Sequence, residues 1–284
     1  MKILILGGTG LLGYECLKSL SSKSNLIVKA TVRKKNDRKF FQKEIWKNLI
    51  IVKNLLNINE LNKIIMKEKP RVILNCLSLD KKKLNNYDES IKLLSLFPKK
   101  LDLICSKINC RLILISSDGV FSGEKGNYSE KDIPDAADIY GISKYLGEIT
   151  FNKNLVIRTS IIGHQITKKD GLLEWFLSQK GSCEGHTRSF FSGLTNIELS
   201  KILTKIIVNH KNLSGIINIS SQPISKYDLL CKVNKVYEKN IKILKNNNIR
   251  LNRSLNSSFL FKKINYKAPV WDEMIREMYD QKNR

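Results

Sequence analysis

The chain has 284 residues, of which 42% are hydrophobic, with only 15 glycines and 5 prolines. This composition supplies a full core, so it excludes a disordered, collagen-like or disulfide-dependent peptide and fits one large α/β domain or two joined lobes. Fifty Lys and Arg residues against 26 Asp and Glu give a formal net charge of +24. The lysines are spread along the whole chain and no nucleic-acid-binding motif accompanies them, so we expect a basic solvated surface and no nucleic-acid partner.

Targeting and metal-binding patterns are also lacking in the sequence. No apolar run approaches the roughly 20 residues of a membrane helix, and the N-terminal run Met1–Leu6 is too short for a signal peptide, so we expect no membrane partner. The six cysteines include no CxxC pair and the three histidines do not cluster. We therefore expect no metal site, no disulfide framework and a reducing, cytoplasmic location.

In the first 160 residues, near-continuous apolar runs alternate with helical patterns. Such runs are typical of strands that are buried on both faces of a parallel sheet. The predicted strands are Lys2–Leu6, Leu26–Val32, Leu49–Val52, Arg71–Cys76, Arg111–Ser116 and Leu155–Arg158. The predicted helices are 11–22, 38–47, 58–69, 88–109 and 138–152. This alternation predicts a Rossmann-type, doubly wound α/β fold with a parallel sheet.

After residue 160 the regular alternation of predicted strands and helices ends. The pattern predicts helices at 170–180, 195–210, 225–238 and 271–280, short strands near 215–219 and 241–244, and a polar loop over 246–256. We predict a dinucleotide-binding domain over 1–160 and a smaller α/β substrate-binding lobe over 161–284. The second is expected to be interwoven with the first and to lend the strand Ile216–Ile219 to its sheet.

A glycine-rich turn follows the first predicted strand directly and opens the first predicted helix. Its sequence is Gly7-Gly8-Thr9-Gly10-Leu11-Leu12-Gly13. Glycines at these positions permit a tight turn, close approach of a pyrophosphate to the backbone and close packing of helix on strand. This context predicts that Gly7–Gly13 binds a dinucleotide.

The residue at the end of the second strand bears on which dinucleotide binds. Sites that prefer NAD place an acid there for the ribose hydroxyls, whereas this strand ends in Arg33-Lys34-Lys35 and no acid follows before Asp37. A guanidinium suits a 2′-phosphate. We therefore predict NADPH, with NADH possible and a plain surface charge at Arg33 as the alternative.

Tyr140 and Lys144 lie four residues apart in a predicted helix, which puts them on one face. A nearby ammonium stabilises phenolate, so Tyr140 is a candidate proton donor near neutral pH. Tyr14 and Lys18 share the same spacing, but they lie on the helix behind the glycine turn, so we treat that pair as a decoy. Ser117 ends an apolar strand 23 residues before Tyr140 and can hydrogen-bond a substrate carbonyl beside it.

These motifs resemble a known family. The resemblance is carried by Leu114–Gly123, Lys125–Glu130, Tyr140–Lys144 with Gly147-Glu148, and Leu155–Gly163. The chain resembles the extended short-chain dehydrogenases/reductases, and within them the dTDP-4-dehydrorhamnose reductase group. The resemblance implies a catalytic triad of Ser117, Tyr140 and Lys144 and a nucleotide-sugar substrate held by the C-terminal lobe. It also implies reduction of a 4-keto nucleotide sugar in surface-polysaccharide biosynthesis, by a chain that is a possible homodimer.

The predicted binding residues follow on this basis. The cofactor site comprises Gly7, Thr9, Gly10, Leu11, Leu12, Gly13, Arg33, Asn54, Leu55, Asn75, Cys76, Leu77, Ser116, Tyr140 and Lys144. The substrate site comprises Asp118, Gly119, Val120, Ile161 and Arg253.

Some positions depart from the group's pattern. Gly119 stands where many relatives carry a tyrosine, and Leu94 stands where they often carry an Asn that assists proton delivery. Two alternatives therefore stay open: a nucleotide-sugar epimerase, and a non-catalytic regulatory subunit that binds a dinucleotide.

Overall fold

A computed structural model describes residues 1–79, 86–151, 153–167 and 169–283. The strands are β1 (Lys2–Leu6), β2 (Ile27–Val32), β3 (Leu49–Ile51), β4 (Val72–Asn75), β5 (Arg111–Ile115), β6 (Leu155–Arg158), β7 (Ile161–Ile162), β8 (Ser182–His186), β9 (Ser189–Phe191), β10 (Leu194–Thr195), β11 (Gly215–Asn218), β12 (Ile224–Ser225), β13 (Lys242–Asn246) and β14 (Leu251–Asn252). The α-helices are α1 (Leu11–Ser21), α2 (Ile58–Glu68), α3 (Tyr87–Ser90), α4 (Phe97–Lys107), α5 (Ile139–Leu146), α6 (Leu172–Ser178), α7 (Asn196–Asn209), α8 (Lys226–Val236), α9 (Ser258–Ile264) and α10 (Trp271–Lys282).

The main sheet has seven strands among the described residues, in the order β11-β6-β5-β4-β1-β2-β3. Its neighbouring strands from β3 through β1 to β6 run parallel. Their apolar side chains are almost completely buried, as the continuous apolar runs predict. The predicted doubly wound α/β fold is confirmed, and so is the strand that the C-terminal half lends to the sheet, which is β11.

Side chains alternate between the two faces of the sheet. Leu4 and Leu6 of β1 belong to a core cluster with α2 and α4, to which Leu61 and Leu101 contribute. The helix α1 packs against β1 and β2 and buries its Leu17. A 2.8 Å hydrogen bond between the hydroxyls of Ser19 and Thr204 joins α1 to α7.

The chain forms two compact units that interleave along the sequence. The first unit contains residues 1–116, 138–157 and 200–216, and the second contains 117–137, 158–199 and 217–284. Residues from both halves of the chain therefore occur in each unit.

The second unit is built from small sheets and helices. Its sheets are the pair β10-β7, the three strands β12-β9-β14 and the parallel pair β13-β8. The helix α8 packs on β8 and β13, and Gly185 of β8 fits there because a Cβ atom would lie 3.0 Å from the Tyr227 backbone. The helix α6 buries Leu173 and Phe176, as expected of an amphipathic packing helix.

Three predicted helices differ from the observed ones. The segment 38–47 forms two 3-10 segments, Lys35–Phe40 and Lys43–Asn48, on either side of the buried Phe41. The long helix 88–109 is divided into α3, a π-helical turn at Ile91–Leu96 and α4. The helix 138–152 ends at Leu146, and residue 152 lies outside the described residues.

Proline explains the division of the long helix. Pro98 has no N–H, so it cannot donate to the Leu94 carbonyl four residues earlier, and the Phe97 N–H instead bonds the Lys92 carbonyl five residues back. The backbone of Gly147 approaches the same Leu94 carbonyl so closely that a Cβ atom there would lie 1.9 Å from its oxygen. This contact accompanies the end of α5.

The C-terminal part contains further elements that were not predicted, namely the short strands β7, β8, β9, β10, β12 and β14 and the helix α9. The segment 246–256, predicted as a loop, contains the two-residue strand β14, which pairs with β9. The helix α9 follows it. Across the described residues, none of the helices combines the length and apolarity that a membrane span requires.

Candidate functional site

The glycine turn lies between the ends of β2 and β4. The Gly7 N–H donates to the Thr31 hydroxyl at 3.0 Å, and the Gly8 N–H donates to the Thr31 carbonyl at 2.8 Å. The strand order 3-2-1-4-5-6 reverses direction at β1, and in sheets of this kind dinucleotides bind at that reversal, beyond the carboxyl ends of the strands. The turn therefore stands at the expected edge of the sheet.

Two glycines of the turn are required by geometry. Gly7 adopts φ +90°, a conformation that L side chains rarely adopt. At Gly13 a Cβ atom would lie 2.1 Å from the Gly7 carbonyl oxygen, so α1 packs directly on the turn. Leu11 begins α1, Leu12 is buried and Thr9 is half-buried. Backbone N–H groups at this helix start fit the pyrophosphate of a dinucleotide.

The end of β2 carries both a cation and an acid. Arg33 is exposed, and the backbone N–H groups of Arg33 and Lys34 both donate to one carboxylate oxygen of Asp37, at 3.1 and 2.8 Å. The sequence places no acid at the strand end, but the 3-10 turn folds Asp37 back to it. The carboxylate serves as an acceptor for the backbone, which leaves the Arg33 guanidinium as the group that can meet a phosphate.

The residues after β4 touch the glycine turn. Asn75 pairs with Leu6 in the β1–β4 register, and the Cys76 N–H donates to the Leu6 carbonyl at 3.1 Å. A Cβ atom on Gly7 would lie 3.0 Å from the Leu77 side chain. These contacts bring the predicted cofactor residues 75–77 to the turn.

The predicted pair after β3 has different surroundings. Asn54 is exposed, and its side chain accepts from the Leu56 N–H at 3.0 Å, which shapes the loop. Leu55 packs against the core cluster. A cofactor role for these two residues stays a prediction.

The helix α5 presents Tyr140 and Lys144. Asp138 caps the helix by accepting from the Gly141 N–H at 2.8 Å. The Lys144 side chain is buried, and its Nζ donates to the Ile115 carbonyl at the end of β5, at 2.9 Å. Burial lowers the pKa of Lys144 to about 8, while the nearby Cys76 thiol and Glu148 carboxylate oppose this shift. Tyr140 is half-buried one turn before.

Ser116 and Glu148 complete the polar groups around this lysine. The Ser116 hydroxyl donates to the Glu148 carboxylate at 2.7 Å. Both residues line a small cavity that Lys144, Leu94 and Asn75 also line, and it has room for about one water molecule. The first unit thus brings together Ser116, Lys144 and the carboxylate Glu148.

The Tyr14–Lys18 pair has a different environment. The Tyr14 ring packs on Phe41 with a 5.4 Å centroid separation, and burial raises the pKa of its hydroxyl. Lys18 is partly exposed and forms an ion pair with Glu15 at 3.5 Å. A raised tyrosine pKa is the opposite of what proton transfer near neutral pH needs.

The second unit contains a cluster of predicted catalytic and substrate residues. Ser117 caps a 3-10 turn, accepting from the Gly119 N–H at 3.0 Å and donating to the Asp118 carboxylate at 3.1 Å. Burial raises the pKa of Asp118 to about 6, while Ser117, the Arg253 charge and Ser160 favour the ionised form. The cluster is therefore an acid beside a guanidinium, with two hydroxyls attached.

The other predicted substrate residues lie in the same unit. Gly119 and Val120 are buried in the same 3-10 turn, and the Val120 carbonyl accepts two backbone N–H groups, from Asp135 and Ala136. Ile161 is half-buried in β7. In the described part of the chain, no group of three or more His, Cys, Asp or Glu residues is placed to hold a metal ion.

Sequence reasoning missed two groups that the fold brings to the site. Asp37 follows the strand-end residue Arg33 by four positions and was therefore not counted at the strand end. Glu148 was noted only as part of a motif, although in the predicted helix 138–152 its position four residues after Lys144 would put both on one side. That spacing is the signal that could have found it.

Comparisons with known proteins agree with this architecture. The family model described as RmlD substrate binding domain matches residues 1–180. The methionine adenosyltransferase 2 subunit beta of Bos taurus is 32% identical over 149 residues, which are 52% of this chain and 41% of that protein. The chain thus spans less than half the length of this relative.

Solved structures share the fold along the whole chain. The dTDP-4-dehydrorhamnose reductase of Bacillus anthracis, solved in complex with NADP, matches with TM-score 0.80 and 19% identity, covering 99% of both chains. A dTDP-4-dehydrorhamnose reductase of Clostridium acetobutylicum matches with TM-score 0.81 and 21% identity, covering 100% of both. Because the family model covers more than half of the sequence, this chain belongs to the RmlD substrate binding domain family.

Proposed function

We propose that this protein reduces the keto group of a 4-keto nucleotide sugar with NADPH. One observation carries the proposal: α5 places Tyr140 four residues before a buried ammonium, Lys144, which is held against the carboxyl end of β5. The glycine turn stands at the carboxyl end of β1, and in a parallel sheet these ends share one edge. A proton donor and a dinucleotide cradle on one edge are the parts that carbonyl reduction needs.

The cofactor assignment rests on the turn and on Arg33. Gly7 has a positive φ and Gly13 packs closely on the Gly7 carbonyl, so a side chain at either position would fill the turn. The glycines present therefore leave room for a pyrophosphate next to the backbone. Arg33 would hold a 2′-phosphate, which favours NADPH over NADH. When bound, NADPH supplies a hydride from its nicotinamide ring. The NADP complex of the Bacillus anthracis relative supports this assignment.

Three side chains carry the proposed chemistry. Tyr140 donates its proton to the alkoxide that develops as the carbonyl is reduced. Lys144 keeps the tyrosine acidic through its charge and binds the cofactor ribose. Ser117, whose hydroxyl donates to Asp118 in this structure, would turn its proton to the same oxygen and stabilise negative charge as it forms.

The second unit would bind the nucleotide sugar. The Arg253 guanidinium suits an anionic diphosphate, and the Asp118 carboxylate can accept hydrogen bonds from sugar hydroxyls. Gly119, Val120 and Ile161 would form part of the same sugar-binding site. The relatives named as dTDP-4-dehydrorhamnose reductases support a substrate of this class.

A regulatory subunit is the second candidate function. The bovine relative is named as the beta subunit of a methionine adenosyltransferase. A subunit of that kind would bind NADPH through the same glycine turn and would turn over no sugar. Its partner would be a methionine adenosyltransferase catalytic subunit.

We also propose that the protein is a homodimer. On the neighbouring helices α3 and α5, Tyr87 is 68% exposed, Tyr145 43% and Leu146 47%. Exposed apolar patches mark interaction surfaces, and Asp88 and Lys92 beside them carry both signs of charge. Light scattering on the purified chain should give twice the monomer mass, and Tyr145→Glu should give the monomer mass.

A substrate screen distinguishes the functions. The purified protein is mixed with NADPH and a panel of 4-keto nucleotide sugars, and loss of NADPH absorbance is recorded. The reductase proposal expects oxidation with at least one member of the panel. Tight NADPH binding with no oxidation, together with co-purification with a methionine adenosyltransferase catalytic subunit, would favour the regulatory subunit.

A further inference from the structure

The charge state of Lys144 depends on its immediate surroundings. An ammonium that is buried this deeply loses hydration, which favours the neutral amine. The groups that act on it are the Ile115 carbonyl from β5, the Cys76 thiol after β4 and the Glu148 carboxylate, which follows α5. Among these, Glu148 bears the carboxylate.

Glu148 is held in place by a specific contact. Its carboxylate accepts from the buried Ser116 hydroxyl at 2.7 Å, and Ser116 directly follows the residue whose carbonyl binds Lys144. The lysine and the glutamate therefore approach the end of the same strand. Both also line the small cavity, and a water there would have polar partners in Lys144, Glu148 and Asn75.

We infer that Glu148 is a positioning residue whose negative charge keeps Lys144 protonated at neutral pH. The inference rests on the proposed function in so far as a protonated Lys144 keeps Tyr140 acidic. Glu148 is the counter-ion of Lys144 on the wall of the small cavity, to which Leu94 contributes only an apolar side chain.

The test replaces the charge and keeps the hydrogen bond. In Glu148→Gln the amide oxygen can still accept from Ser116, so a purely structural role would be retained. The titration of Lys144 is followed by NMR of protein with isotope-labelled lysine, and Lys144→Arg identifies its signal. The wild-type midpoint is expected near pH 8, and the variant midpoint about one unit lower.

Activity supplies a second readout where turnover is found. If protonated Lys144 is required, a one-unit change leaves about 3% rather than about 24% of molecules protonated at pH 8.5, an eightfold loss of rate, and almost no loss at pH 6. Glu44→Gln, an exposed glutamate with the same change of charge, should leave both the midpoint and the pH profile unchanged. Glu148→Asp, which retains the charge, should stay closer to the wild type than Glu148→Gln.

The outcomes separate the two proposals. An unchanged midpoint in Glu148→Gln, or one that falls equally in Glu148→Asp, overturns the inference. A lowered midpoint in a protein that reduces no 4-keto sugar supports the inference and counts against the proposed function. If Glu148→Gln does not fold, the titration midpoint of Lys144 in Glu148→Asp decides. A large fall of this midpoint in a variant that retains the charge contradicts a counter-ion role, and a midpoint close to the wild type supports it.

Discussion

Substitution of Tyr140 by phenylalanine tests the proton donor against a matched decoy. Tyr140→Phe and Tyr14→Phe each remove one phenolic oxygen from a tyrosine that has a lysine four residues later. Lys144 is buried against the Ile115 carbonyl, whereas Lys18 is partly exposed in an ion pair with Glu15. The proposed function assigns the role of acid to Tyr140, which precedes the buried lysine, and assigns no role to Tyr14.

The expected magnitudes differ widely. General acid catalysis contributes about 10²–10⁴-fold, which corresponds to roughly 3–5 kcal/mol of barrier, so Tyr140→Phe should lower kcat by that factor. Tyr14→Phe keeps the ring that packs on Phe41 and should change kcat less than about twofold. Cofactor affinity, measured by NADPH fluorescence, should change little in either variant.

The assay is steady-state NADPH oxidation with the best substrate of the panel. Equal losses in the two variants would show that the structural distinction between the pairs has no catalytic meaning. A Tyr140→Phe variant that retains wild-type kcat would refute the assignment of Tyr140 as the acid.

Three further variants probe the cofactor site and the second unit. Arg33→Asp should raise the Kd for NADPH about ten- to a hundredfold and the Kd for NADH much less, because a charge-assisted contact contributes about 1.5–3 kcal/mol. An equal rise of the two Kd values would contradict a contact with the 2′-phosphate. Gly13→Ala should cost about 1–3 kcal/mol of unfolding free energy by overpacking against the Gly7 carbonyl, whereas Gly171→Ala, with its nearest neighbour at 3.6 Å, should be close to neutral in urea denaturation. Burial lowers the pKa of His164, despite its 2.7 Å contact with Glu174, so its contribution to stability is present above pH 6.5 and lost as the pH falls through the folded pKa. His164→Gln should therefore weaken the decline in unfolding free energy between pH 7 and pH 5, and an unchanged decline would contradict this account.

The sheet could be predicted because its strands are buried on both faces. The strands β1 and β6 have the predicted bounds, since continuous apolar runs bounded by polar residues leave little ambiguity. The strand β8 was missed because only alternate residues, Cys183 and Gly185, face the interior of the second unit. A short strand in which only two small residues are buried gives no clear apolar pattern.

The candidate site was predictable where the signal is local. The glycine turn and the Tyr140–Lys144 spacing are contained within seven residues or fewer. Asp37 reaches the end of β2 only because a 3-10 turn replaces the predicted helix, and Glu148 meets Ser116 across 32 residues of sequence. The contact of Glu148 with Ser116 depends on the tertiary fold, which a local pattern does not encode. The Asp37 contact spans only three to four residues and follows from the local 3-10 turn, which the apolar pattern did not reveal.

The most direct measurement of the proposed reaction follows the hydride itself. NADPH carrying deuterium at C4 of the nicotinamide ring, prepared as either epimer, is incubated with the protein and a 4-keto nucleotide sugar, and the product is examined by NMR. The account predicts deuterium at the sugar C4 from one epimer, at least a hundredfold more slowly in Tyr140→Phe. NADPH that binds but transfers no deuterium to any keto sugar of the panel would contradict it.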